Sequence, residues 1–127
     1  MNDITNLPPT APEFDVAVLL NLVDSDPEMF KKFALMFIRS FETALANIDM
    51  ALEMSDLVAL CAMGHRAKST ARNIGAMGLG RECELLETSS NKANREEATR
   101  VALGLRPMFE AVRTELSSRI DPSGHGL

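Results

Sequence analysis

Apolar residues recur along most of this chain at three- and four-residue spacing, the period of a helix that buries one face. A short apolar stretch, Phe14 to Leu22, predicts a short first helix. The segment Asp24-Ser25-Asp26-Pro27-Glu28 then predicts a helix start. Asp26 is suited to the N-cap, and Pro27 to the first helical position, where its missing N–H would be unpaired anyway. The acidic residues also favour the positive end of the helix dipole. From there Phe30, Phe33, Phe37, Phe41, Ala44, Leu45, Ile48 and Leu52 form one stripe on a long amphipathic helix. Four of the six phenylalanines lie on that stripe, which makes it the central core helix.

Ser55-Asp56 opens the next helix, with a core stripe of Leu57, Leu60, Gly64, Ala67, Ala71 and Ile74. Gly75 and Gly78 are expected to end it. A further helix is expected from about Leu79 to Ser89, carrying Leu79, Cys83, Leu85 and Leu86, followed by a polar loop from Ser89 to Asn94. The last helix runs from about Arg95 to Arg119 on Ala98, Val101, Ala102, Leu105, Met108, Phe109, Val112, Leu116 and Ile120. Pro107 should kink it, because the carbonyl of Leu103 loses its donor. No alternating strand pattern, hairpin dipeptide or internal repeat interrupts this reading. The fold class is therefore all-α: an antiparallel four-helix bundle with a short additional N-terminal helix. The prolines before Phe14 mark residues 1–13 as a flexible leader. Residues 14–120 form the bundle, and DPSGHGL, 121–127, a flexible tail.

Composition narrows the function. The formal net charge of −5 speaks against a general nucleic-acid binder and against a polybasic membrane-surface protein. With no Trp and no Tyr, an aromatic base-stacking platform is not expected. No apolar run approaches the ~20 residues of a membrane span. The N-terminus lacks the basic and apolar regions of a signal peptide. Cys61 and Cys83 have no C-x-x-C spacing and read as small packed side chains in a reducing, cytoplasmic setting.

Only two histidines exist, His125 in the tail and His65 in mid-helix. His65 lies roughly 140° from the centre of its helix's core stripe, so its ring faces solvent or a partner. Lys68 at i+3 and Arg72 at i+7 share its face, and Ser69 at i+4 keeps the surface beside the ring low. An imidazole titrates near pH 6.5, so much of an exposed one is neutral at pH 7. A neutral ring nitrogen is a competent nucleophile toward phosphorus, and adjacent cations can neutralise the phosphoryl group it would carry. Gly78-Leu79-Gly80 is too short for a nucleotide loop, and no acidic cluster suggests a phosphate-activating metal. His65 could thus accept a phosphoryl group but not draw one from ATP by itself. Cys61, four residues earlier, could share a metal with His65, but no second ligand pair is evident, so no metal is assigned.

The run His65-Arg66-Ala67-Lys68-Ser69-Thr70-Ala71-Arg72-Asn73-Ile74-Gly75-Ala76 resembles the signature of histidine-containing phosphotransfer (HPt) domains, roughly H-x-L-K-G-S-x-x-N-[IL]-G-A. Asp26-Pro27-Glu28-Met29-Phe30 with Phe37 and Phe41 resembles the start of that family's second helix. Leu79, Cys83 and Leu86-Glu87 resemble the helix after the motif. The resemblance implies a monomeric phosphorelay carrier with no kinase domain of its own. His65 would be the acceptor and Lys68 the neighbouring cation. Receiver domains of response regulators or hybrid histidine kinases would be the partners. No cofactor is expected on this chain, since the receiver supplies the divalent metal. Ser69 stands where the family usually has Gly, and could hydrogen-bond the phosphate. Arg72 replaces a usually small residue and adds a cation.

Leu35 and Met36 lie off the phenylalanine stripe, and Val58 lies on the His65 side of its helix. With Cys61 they are the candidate receiver-docking patch. The alternative is a bundle that binds receivers without being phosphorylated. A histidine-kinase dimerisation domain is a weaker third reading, because no ATP-binding domain follows.

Overall fold

The computed structural model describes residues 13–120. They form α1 (Val16–Leu22), α2 (Pro27–Glu53), α3 (Leu57–Asn73), α4 (Met77–Asn91) and α5 (Arg95–Ile120). Three helices start on an aspartate. The Asp26 carboxylate accepts from the backbone N–H groups of Glu28 and Met29, Asp56 from Ala59, and Asp15 from Ala17. Each satisfies donors that the first turn leaves unpaired. The turns at 54–56, 74–76 and 92–94 are so short that each following helix must reverse direction. α2 packs on both α3 and α5, and α4 on α3 and α5, so the four long helices close into a bundle.

Phe37, Phe41 and Phe109 form its aromatic centre, with Phe41 and Phe109 stacked at 5.2 Å between ring centroids. Such pairs add to the burial of area itself. The buried stripe of α2 is Phe30, Ala34, Phe37, Ile38, Phe41, Leu45, Ile48 and Ala51. Phe33, Ala44 and Leu52, expected on that stripe, are half-buried along its edge. α2 meets α3 on one side and α5 on the other, so its buried face is wider than one line of residues.

Three expectations need correction. α4 begins at Met77 and ends at Asn91, so Gly78 lies inside it rather than ending α3. Ser89 and Ser90 are buried and helical, not part of a loop. Serine favours turns because its hydroxyl competes for local backbone groups. Here the Ser89 hydroxyl instead donates to the Leu85 carbonyl one turn back, at 2.7 Å. Glu13, expected in the leader, is docked: its carbonyl accepts from the Met77 N–H, and its carboxylate pairs with Arg81. The rest of the expected leader, and the tail with His125, lie outside the described residues. α5 continues as one helix through Pro107. Leu103, Gly104 and Pro107 are all exposed, so the carbonyl without a donor faces water and loses little.

Gly75 fastens α1 to the end of α3. Its φ is +92°, and its carbonyl accepts from the Asp15 N–H at 2.8 Å. A Cβ at Gly75 would collide with the Asp15 carbonyl oxygen. Gly75→Ala is therefore expected to cost about 3 kcal/mol or more, from the left-handed backbone and the collision together. Urea unfolding measures it.

Candidate functional site

Gly64 lies on α3 where that helix meets α4. A Cβ there would come within 2.8 Å of both the Cys83 carbonyl oxygen and the Glu87 nitrogen. Only glycine lets the two backbones approach this closely. That approach brings the Glu87 side chain across to the face of α3 carrying His65 and Lys68.

Glu87 holds both. One carboxylate oxygen lies 3.0 Å from His65 Nδ1, and the other accepts from Lys68 Nζ at 2.8 Å. The His65 side chain is 65% exposed, while Lys68 is 18% and Glu87 24% exposed. The Lys68 hydrogen bond is the main reason the Glu87 carboxyl titrates below its ordinary value of 4.5. Partial burial opposes this, and the His65 contact adds to it. Glu87 is thus ionised near neutrality and can only accept hydrogen bonds. That assigns the proton of neutral His65 to Nδ1 and leaves the Nε2 lone pair free. Nε2 has no protein partner among the described residues. The arrangement is an exposed imidazole held by one nitrogen, with the other free of protein partners among the described residues and an ammonium group on the same carboxylate.

A carboxyl whose value is lowered by folding stabilises the fold fully above its unfolded value, and that gain is lost as pH falls through the folded value. Glu87→Gln should therefore lower Tm near pH 7. The gap to wild type should close as pH falls below about 4.5, the ordinary value. Thermal melts from pH 7 to pH 3 measure this.

The other expected site residues fall in different places. Arg72 does not stand over the His65 ring. It lies against Gly80 and pairs with Glu84 at 2.6 Å, which neutralises it. Ser69 is exposed. Val58, 82% exposed, and half-buried Cys61 line a cleft of about 650 Å³ together with His65 and Glu87. Met36, 55% exposed, lies on a separate cleft of about 280 Å³ beside Thr70 and Asn73 of α3. Leu35 is half-buried and belongs to neither cleft. It lies roughly 150° around α2 from the side facing α3, so the structure does not bring it together with His65. Burial pushes the Cys83 thiol up to about 12, which keeps it protonated and unreactive. No cluster of three metal-ligating side chains occurs among the described residues. Nor is any described helix long and apolar enough to cross a membrane.

Sequence reasoning missed Glu87 as the partner of the ring. The signals were its place in the Leu86-Glu87 pair of the family pattern and the pair Glu84 and Glu87 on one helix, spaced to match Lys68 and Arg72 on another.

A helical bundle presenting an oriented, exposed histidine beside a lysine defines the class of histidine phosphotransfer proteins. The sequence pattern of the Hpt domain matches residues 32–116, and the chain belongs to that family. Members of the family are phosphocarriers of phosphorelays and interact with receiver domains. The crystal structure of histidine-containing phosphotransfer protein B (HptB) from Pseudomonas aeruginosa PAO1 is similar, with a TM-score of 0.82 and 25% sequence identity. The match covers 89% of this chain and 98% of that one. No curated protein matches the sequence.

Proposed function

We propose that this protein is a relay intermediate that takes a phosphoryl group onto Nε2 of His65 from the aspartyl phosphate of one receiver domain and passes it to another. The observation that carries the reading is the Glu87 bridge, which turns Nε2 outward with Lys68 beside it. In the loading step the Nε2 lone pair attacks phosphorus. The P–N bond forms as the P–O bond to the receiver's aspartate breaks, and that aspartate leaves as a carboxylate. The Nδ1 proton stays on the ring, and the Glu87 carboxylate compensates the positive charge that develops there. Lys68 meets the phosphoryl oxygens, and Ser69 is small enough to admit the receiver and can donate to the phosphate. The divalent metal is assigned to the receiver, and this chain contributes nucleophile, charge and docking surface. Passing the group on is the same step in reverse, with a second aspartate as nucleophile. Val58, Cys61 and Met36 are the apolar docking contacts around it.

The test is transfer from phosphorylated receiver domains of the same organism to the wild-type chain. Acid-labile, base-stable label on the protein supports the reading. Absence of label from every receiver, with the fold confirmed, overturns it.

A further inference from the structure

α3 carries three cations near His65, and they are not equivalent. Lys68 is paired with Glu87, and Arg72 with Glu84, both carboxylates coming from α4. Arg66 has no carboxylate partner among the described residues and is exposed. The α2 residues lining the cleft beside it are Ser40, Phe41, Thr43, Ala44 and Asn47, none of them charged. Arg66 also borders the larger cleft that contains Val58, Cys61 and His65. The cations of α3 are therefore of two kinds: paired with carboxylates toward α4, and without a carboxylate partner among the described residues toward α2.

Direction decides what Arg66 can touch. Consecutive helical residues point roughly 100° apart and do not face each other. Arg66 therefore leans away from the side of the ring that Lys68 occupies, toward α2. A phosphoryl group on Nε2 belongs to Lys68. A protein seated on His65 must cover both flanks of the ring, and on the α2 flank it meets a guanidinium without a carboxylate partner among the described residues. Guanidinium is weakly hydrated and presents a fork of donors that fits a carboxylate. The protein as a whole carries −5, so this is a positive point on an acidic molecule, where charge can set register.

We propose that Arg66 pairs with a carboxylate on the receiver domain, on the α2 side of His65, and selects which receivers bind. The inference rests on receivers docking at this face, as in the proposed function, but not on phosphoryl transfer.

The test measures binding of unphosphorylated receiver domains of the same organism to the full chain by titration calorimetry. Arg66→Ala should weaken the tightest receiver by about tenfold at low salt, and Arg66→Glu by more. The difference should shrink at about 0.5 M salt, where the screening length falls to a few ångströms. Arg39→Ala, which removes an exposed cation of α2, makes the same change in net charge and should leave binding nearly unchanged. One Asp→Lys or Glu→Lys reversal on the receiver should restore binding to Arg66→Glu. Equal losses for Arg66→Ala and Arg39→Ala overturn the proposal, as do no loss for Arg66→Ala, no rescuing reversal, or no binding by any receiver. In transfer assays, Arg66→Ala should leave the rate at saturating receiver unchanged. A lowered saturating rate would place the guanidinium on the phosphoryl group and overturn it too. Wild type that binds a receiver but takes no label overturns the carrier reading alone.

Discussion

His65→Gln is expected to abolish phosphoryl loading while leaving the helical fold intact. The side chain is exposed and makes one side-chain hydrogen bond among the described residues, to Glu87, so its replacement opens no buried cavity. Glutamine is a good helix former and can still donate to the Glu87 carboxylate. Its amide nitrogen is not a nucleophile, because its lone pair is delocalised into the carbonyl. The expected result is circular dichroism and Tm close to wild type, with no acid-labile label. The chain has only one other histidine, His125. Label that persists in His65→Gln and disappears in His125→Gln would move the acceptor to His125 and refute the proposed site.

Gly64→Ala tests the geometry that builds the site. Helix propensity alone favours alanine by about 1 kcal/mol. Contact argues the other way, since the new methyl would sit 2.8 Å from two backbone atoms of α4. Overpacking costs about 1–3 kcal/mol, and more where the neighbour is backbone that cannot change rotamer. Contact wins, so the expected outcome is a net loss of about 2 kcal/mol in denaturant unfolding. The variant should also transfer more slowly than its residual stability explains, because α4 must move away and take Glu87 with it. His65 then loses the partner that fixes its tautomer. Stability at or above wild type would show that α3 and α4 can part without strain, and would remove Gly64 from the account of the site.

Much of this molecule is written in local pattern. The three-and-four spacing of the phenylalanines, the Asp26-Pro27 start and the Ser55-Asp56 turn depend only on neighbours within about two helical turns. They predict the helices and their order without any knowledge of packing. The exposure of His65 also follows from its angle to Leu60, Ala67 and Ala71. Expectations failed where a distant contact overrides a local preference. Ser89 and Ser90 read as turn residues, yet the α4 surface they occupy is covered and the helix extends over them. Phe33 reads as core, yet Ala34 and Ile38 are the more deeply buried because α2 faces two neighbours.

The same distinction holds at the site. The bundle, the exposed histidine and the nearby lysine are legible in local pattern, because helical periodicity and short turns place them. Packing between helices, and no pattern within one of them, sets Glu87 against the ring, pairs Glu84 with Arg72, turns Leu35 to another face, and leaves Arg66 without a carboxylate partner among the described residues. The Glu87 and Glu84 contacts depend on how closely α3 and α4 approach at Gly64, a contact between residues about twenty positions apart that no pattern within either helix specifies.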